Sequence, residues 1–329
     1  MADIVYTARL TGPSTTDYGQ FKFAMAARGT AIVDAAAGSR RSQFELQRVR
    51  QERDTDMQNG IHFISGLPRS GSTLLAALLR QNPRFHAGMT SPVSSLFSAL
   101  LRQMSQENEA AVFIDDDQRA RLLRACFEAY YADIHPEKLV FDTSRGWTTR
   151  LPALVELFQD LRMICCVRHP AWIIDSVERL TRRNKFEPSK IFNFDPGGTV
   201  YSRAEGLSGG SGMLGFALNA LREAVYGEHS DRLLLVRYET LSVNPLGTLA
   251  AIYNFIGEAL YHHDPEHIEP DYAAMEFDAR LGAPGLHTVG SAVRAPSRRT
   301  ILPPDLFARF EADAFWQDPA KLPPTVRIV

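Results

Sequence analysis

A chain of 329 residues, 45% of them hydrophobic, has the length and apolar content for one large α/β domain or two small ones. Its formal net charge of −2 argues against general nucleic-acid binding, which usually shows a basic domain. The three cysteines offer neither a disulfide framework nor a metal-ligand spacing. There is no apolar run of membrane-spanning length, and no basic start leading into an apolar stretch, so a reducing cytoplasm is the expected compartment.

In chain order, residues 1–56 show little apolar periodicity: an Ala-rich stretch leads into Arg/Gln/Glu-rich text from Arg40 to Asp56. They are expected to be an extension, flexible or helical, with no chemistry assigned to it. Residues 57–329 hold no repeat and no low-complexity linker, and are expected to form one domain.

That domain opens with a strand, Ile61–Ser65, followed by Gly66-Leu67-Pro68-Arg69-Ser70-Gly71-Ser72-Thr73-Leu74 and a helical pattern over Thr73–Arg80. The Gly-x4-Gly frame between strand and helix is that of a phosphate-cradling loop. Backbone N–H groups and the helix dipole both favour an anion there. Nucleotide triphosphatases place Lys after the second Gly, where it reaches the β- and γ-phosphates. Ser72 stands there in this chain, and the cation lies inside the loop as Arg69. Pro68 fixes φ before the turn, and Arg69, Ser70, Ser72 and Thr73 crowd anion donors into five residues. The loop suits a phosphate-like group other than the γ-phosphate of ATP.

Further strands are expected at Leu139–Asp142, Met163–Val167 and Leu233–Val236. Helices are expected at Arg119–Tyr131, Leu151–Phe158, Ala171–Arg182 and Leu246–Ile256. Alternating strands and helices predict a parallel sheet with helices on both faces. Cys165 and Cys166 are adjacent on one strand, so they point to opposite faces and read as small buried apolar residues. The strand over 163–167 runs into Arg168-His169-Pro170, where a triphosphatase carries a Mg²⁺-binding Asp. Ser176 follows about two helical turns after Arg168, so the two can share an anion, and a second anion site next to the first implies a ligand with separated phosphate-like groups. The polar, Gly-rich stretch 184–215 reads either as a lid over the substrate or as a disordered insert.

With these motifs in order, the chain resembles the sulfotransferases that use 3′-phosphoadenosine-5′-phosphosulfate, PAPS. Gly66–Leu75 is similar to their 5′-phosphosulfate loop, and Val167–Leu180 to their 3′-phosphate strand and helix. Tyr238-Glu239-Thr240-Leu241 with Asn244-Pro245 and Phe255-Ile256-Gly257 is similar to a run found further along these enzymes. Pro296-Ser297-Arg298-Arg299 resembles the tail by which tyrosylprotein and related sulfotransferases reach the cofactor. The resemblance spans about residues 60–312, and arginine within the loop points to the tyrosylprotein-like and bacterial branch. It implies a P-loop-type α/β fold and a sulfuryl transfer from PAPS to a hydroxyl or amine of a small molecule or glycan. No metal is expected to take part.

By the same resemblance, Arg69 and the loop amides would take the charge on the bridging 5′-phosphate oxygen, and Ser72 and Thr73 would hold the other oxygens. Arg168 and Ser176 would bind the 3′-phosphate, with Tyr238, Ser297 and Arg298 closing the site. The tyrosylprotein enzymes carry a catalytic Glu after the first helix, but Ala87–Pro92 holds no carboxylate. Asp142, at the carboxyl end of its strand, is therefore the candidate base, provided burial raises its pKa. Its other reading is a structural carboxylate paired with Arg145 or Arg150. His86 is the next candidate; His62 reads as a packed core residue, and Trp147 as either a stacking platform or core. A protein that binds PAP, the desulfated product, or PAPS without catalysis is the alternative function. A P-loop kinase lacks its Lys and its Mg²⁺ Asp here.

Overall fold

The computed structural model describes residues 60–186, 189, 191, 198–295, 297 and 299–329; the expected extension, residues 1–56, lies outside the described residues. A six-stranded sheet organises the chain: β1 (Ile61–Gly66), β2 (Phe85–Ala87), β3 (Leu139–Thr143), β4 (Met163–Val167), β5 (Leu233–Arg237) and β6 (Arg327–Ile328). Their order is β2-β3-β1-β4-β5-β6, and every pairing is parallel. This is the parallel α/β sheet the alternating pattern predicts. The two short strands β2 and β6 were not expected; with three and two residues they carry no periodicity to read.

Because side chains alternate across a strand, each strand feeds two cores. Ile61, Phe63, Met163, Cys165, Leu233 and Leu235 pack on one face against Trp147, Leu221 and Trp316. Ile64, Ile164, Cys166, Leu234 and Val236 pack on the other against Leu75, Leu78, Leu249 and Tyr253. Cys165 and Cys166 thus divide between the faces as small buried residues, and burial pushes the Cys166 thiol up to about 12. Full burial of each large apolar side chain stabilises the sheet by roughly 1.5–3 kcal/mol before entropy is counted.

The helices are α1 (Ser72–Leu79), α2 (Val93–Gln103), α3 (Asp116–Tyr130), α4 (Leu151–Leu157), α5 (Pro170–Arg183), α6 (Val200–Ser208), α7 (Met213–Tyr226), α8 (Tyr238–Val243), α9 (Pro245–Ile256), α10 (Tyr272–Arg280) and α11 (Pro304–Ala308). The stretch 184–215 is a partial departure from expectation. Residues 187, 188, 190 and 192–197 lie outside the described residues, but α6 and the start of α7 occupy its second half. The glycines there belong to a tight helix corner. A Cβ on Gly212 would stand 2.2 Å from the Gly206 carbonyl, and one on Gly215 would stand 2.1 Å from that of Gly209.

The sheet positions the site through its carboxyl ends. β1 pairs with β4 so closely that Gly66 lies opposite Cys166, and a Cβ on Gly66 would meet the Cys166 carbonyl oxygen at 2.3 Å. Only glycine fits there, with φ at 102°. The Leu67 N–H donates to the same carbonyl at 2.8 Å, so the loop leaves the sheet fastened to the strand that carries Arg168.

Candidate active site

The loop after β1 turns through two left-handed residues, Arg69 at φ 57° and Gly71 at φ 93°. Arg69 is the only non-glycine residue with positive φ among the described residues. A bulky residue held there costs of order 1–3 kcal/mol, a cost concentrated at functional sites. Gly71 caps α1, and its carbonyl accepts from Leu75 N–H at 2.8 Å. The N–H groups of Ser72, Thr73 and Leu74 are therefore those a helix start leaves for other partners. A Cβ on Gly71 would come within 2.9 Å of the Tyr238 ring, so α8 is pressed against the loop.

These elements line a cleft of about 350 Å³. Pro68, Arg69, Gly71, Ser72 and Thr73 form one wall, with Arg168 and Tyr238 beside them. Arg145, from the turn after β3, and the segment from Leu286 to Arg294 complete it. Among the described residues, four arginines face this space (Arg69, Arg145, Arg168 and Arg294) and no Asp or Glu does. Arg145 is solvent-exposed, but the exposure is toward the cleft; the protein around it still lowers its pKa by desolvation.

The two anion motifs expected from the sequence meet here. Arg69 Nε donates to Ser176 Oγ at 3.1 Å, although the two are 107 positions apart. Arg168 Nη1 donates to the Arg69 carbonyl at 3.2 Å, and its guanidinium lies 4.1 Å from the centre of the Tyr238 ring. Ser176 itself is buried on α5 and does not line the cleft. Ser70 is also buried, and its hydroxyl donates to the Pro68 carbonyl at 3.2 Å, which fixes the turn. Ser72 and Thr73 are only half-buried and face the cleft. Ser297 is exposed and outside the cleft lining; Arg298 lies outside the described residues.

Asp142 sits near the carboxyl end of β3. It is 0% exposed and does not line the cleft. Its Oδ1 accepts from Trp147 Nε1 at 2.7 Å, and its Oδ2 accepts from Ser91 Oγ and Tyr131 Oη, each at 2.6 Å. Neither Arg145 nor Arg150 is among its partners. Burial pushes the carboxyl's pKa up, while the three donors pull it back. His86, on β2, is outside the cleft, packs edge-on against Tyr131, and has its pKa lowered by burial and by Lys138 and Arg80. Trp147 is core, packed against Phe63, Phe97 and Phe127. His62 is also core: its Nδ1 accepts from Arg162 N–H at 3.2 Å.

Sequence reasoning missed the wall from Leu286 to Arg294 and the pair behind it. His287 Nδ1 lies 2.5 Å from Asp278 Oδ1, and Asp278 Oδ2 accepts the His287 backbone N–H at 2.7 Å. The only local signal was a pair of glycines, Gly282 and Gly285, between an acidic helix end and a histidine. Among the described residues no cluster of three or more His, Cys, Asp or Glu side chains is arranged to hold a metal ion. No helix among them is long and apolar enough to cross a membrane.

A family model described as "Sulfotransferase family" matches residues 62–262. A search of curated proteins found no match. Solved structures similar to the chain include the sulfotransferase domain from the curacin biosynthetic pathway, at 18% identity and TM-score 0.46, covering 76% of this chain and 89% of that one. The sulfotransferase domain of the Synechococcus PCC 7002 olefin synthase is similar at 21% identity and TM-score 0.40, covering 78% of this chain and 95% of that one. Retinol dehydratase in complex with androsterone and inactive cofactor PAP is similar at 13% identity and TM-score 0.42, covering 77% and 79%. The family match decides membership; likenesses at these scores do not.

Proposed function

The chain belongs to the sulfotransferase family and is a sulfuryl-transferring enzyme; from that premise we propose that its donor is PAPS, bound in the arginine-lined cleft, and its acceptor a hydroxyl or amine of a small molecule or glycan. The observation that carries this reading is the meeting of four arginines, a helix start and two open hydroxyls in one cleft with no carboxylate among the described residues. A bis-phosphorylated nucleotide needs separated anion sites, and cationic clefts concentrate such ligands. PAPS supplies an activated sulfuryl group whose leaving oxygen is a phosphate.

Within residues 57–329, the proposed transferase domain, each group then has a task. The N–H groups of Ser72, Thr73 and Leu74 and the hydroxyls of Ser72 and Thr73 hold the 5′-phosphate. Arg69 faces the oxygen on which charge grows as the sulfur–oxygen bond breaks, where a fixed donor acts most strongly. Arg168, stacked on Tyr238, and Ser176, bonded to Arg69, serve the 3′-phosphate side. Pro68, Ser70 and Gly71 hold the loop's shape; the resemblance to the family's tail, not a contact in the cleft, is what assigns Ser297 and Arg298 to closing over the nucleotide. The three unpaired cysteines suit a reducing cytoplasm.

A thermal-shift comparison tests the donor. PAP should raise the melting temperature far more than ATP or adenosine 5′-phosphosulfate at equal concentration, because only PAP engages both anion sites. Equal shifts with PAP and ATP would overturn the reading.

A further inference from the structure

The His287–Asp278 pair opens on the cleft, and the family match, which ends at residue 262, covers neither residue. Asp278 is 0% exposed near the end of α10. Beyond Arg280 the chain turns through Gly282 (φ 63°) and Gly285 (φ 85°), left-handed positions that favour glycine, and returns alongside the helix. Both Asp278 oxygens are then committed to His287, one to its backbone N–H and one to its ring. With Asp278 Oδ1 as the acceptor, Nδ1 carries the proton and Nε2 keeps its lone pair. The His287 side chain is 16% exposed, and it lines the cleft together with Arg69 and Arg145.

We propose that His287, oriented by Asp278, is the base that takes the acceptor's proton during sulfuryl transfer. The inference rests on the donor reading above. As an acceptor oxygen forms its bond to sulfur, the bond from sulfur to the 5′-phosphate oxygen breaks, and its electron pair leaves with PAP. The acceptor's proton passes to Nε2, and Asp278 stabilises the imidazolium so formed. Arg69 stands near enough to act on the same ring, so base and leaving-group cation share one cleft. Burial holds the imidazole's pKa down; the Asp278 bond and charge raise it, and Arg69 and Arg145 lower it. The ring is therefore neutral near pH 7, the state a base requires. Asp142, buried outside the cleft with three donors on its oxygens, turns no lone pair to the acceptor, whereas His287 lines the cleft.

The test uses the full chain, with His287→Gln and Asp278→Asn beside it. Calorimetry should give PAP affinities within about threefold of wild type in both variants, since neither side chain is placed on the phosphates. Release of PAP from PAPS, to water and to a panel of hydroxyl compounds, should fall by roughly 10²–10⁴ in His287→Gln, with the acid limb of the pH–rate profile lost. ¹⁵N NMR of the PAP-bound wild type should show His287 protonated at Nδ1 and titrating below an ordinary histidine. A wild-type rate with an intact acid limb in His287→Gln, or a ring protonated at Nε2, would overturn the dyad alone. Failure of wild type to bind PAP would instead sink the donor reading and take the dyad with it. If His287→Gln does not fold, the tautomer in the wild-type chain decides.

Discussion

At the scale of single residues, Asp142 shows how burial and satisfaction separate a reactive carboxylate from a positioning one. Its oxygens tie together the loop before α2 through Ser91, the end of α3 through Tyr131, and the turn after β3 through Trp147, two residues from Arg145. Replacing it with Ala leaves the buried Trp147 and Tyr131 donors without an acceptor, at about 1–3 kcal/mol each where they cannot relax, and frees the half-buried Ser91 hydroxyl. Asp142→Asn keeps one acceptor oxygen and lets the Ser91 or Tyr131 hydroxyl rotate to accept, so the loss should be about 1–2 kcal/mol. In both cases the acid limb of the pH–rate profile should persist. Chemical denaturation read beside pH–rate curves checks this; an Asp142→Asn chain of wild-type stability that has lost its acid limb would restore Asp142 as the base. The sequence placed Asp142 at a strand's carboxyl end correctly, but three partners from distant segments decide what it does there. His287 escaped notice for the same reason. Its partner is nine positions away across two left-handed turns, a spacing with no periodic signature.

At the scale of elements, strands were legible where buried apolar runs were continuous: Met163–Val167 is as read, and β1, β3 and β5 differ by one residue at an end. The loop after β1 was legible because its chemistry is local. Helix α2 was not, although Val93, Leu96, Phe97, Leu100 and Leu101 recur at helical spacing; Pro92 and four serines in and beside it read as a loop instead. Helix α7 was hidden by Gly212 and Gly215, which read as loop and serve as a corner. The same contrast between local and distant causes gives a prediction for Gly66 and Gly257. Both have positive φ, but a Cβ on Gly66 would strike the Cys166 carbonyl, whereas one on Gly257 meets nothing within 4 Å. Gly257→Ala should cost about 1 kcal/mol, from backbone strain alone. Gly66→Ala must also push β4 from β1, and should cost at least ~3 kcal/mol and weaken PAP binding by displacing Arg168. Urea melts on the two variants compare them. Equal losses would show that β4 yields freely and that close strand approach does not set the loop.

At the scale of the whole molecule, one sheet brings together residues that the sequence presents as separate motifs, and its cores set the charge state of the histidines around it. Burial lowers the pKa of His62 to about 4, and lowers those of His86, His169, His263 and His287 as well. The unfolded chain, with histidines near 6.5, binds more protons than the fold at any pH below that value. Stability therefore rises with pH through this window: it is fully present above about pH 6.5 and is lost as pH falls towards 4. For His62 the gap between about 4 and 6.5 amounts to about 3 kcal/mol by the lower end, a large share of a typical domain's margin. His62→Gln tests the cause. Its amide oxygen can still accept from the Arg162 N–H, but it has no proton to gain. Melting temperatures at pH 7.5, 6 and 5 should fall steeply for wild type and less steeply for His62→Gln, with the two curves closest at pH 5. Parallel curves would mean that His62 stays protonated or solvated in the fold and that the acid sensitivity lies elsewhere. The same titration keeps His287 neutral in the range where the sheet is most stable, so the pH that preserves the fold is also the pH at which the proposed base is free to act.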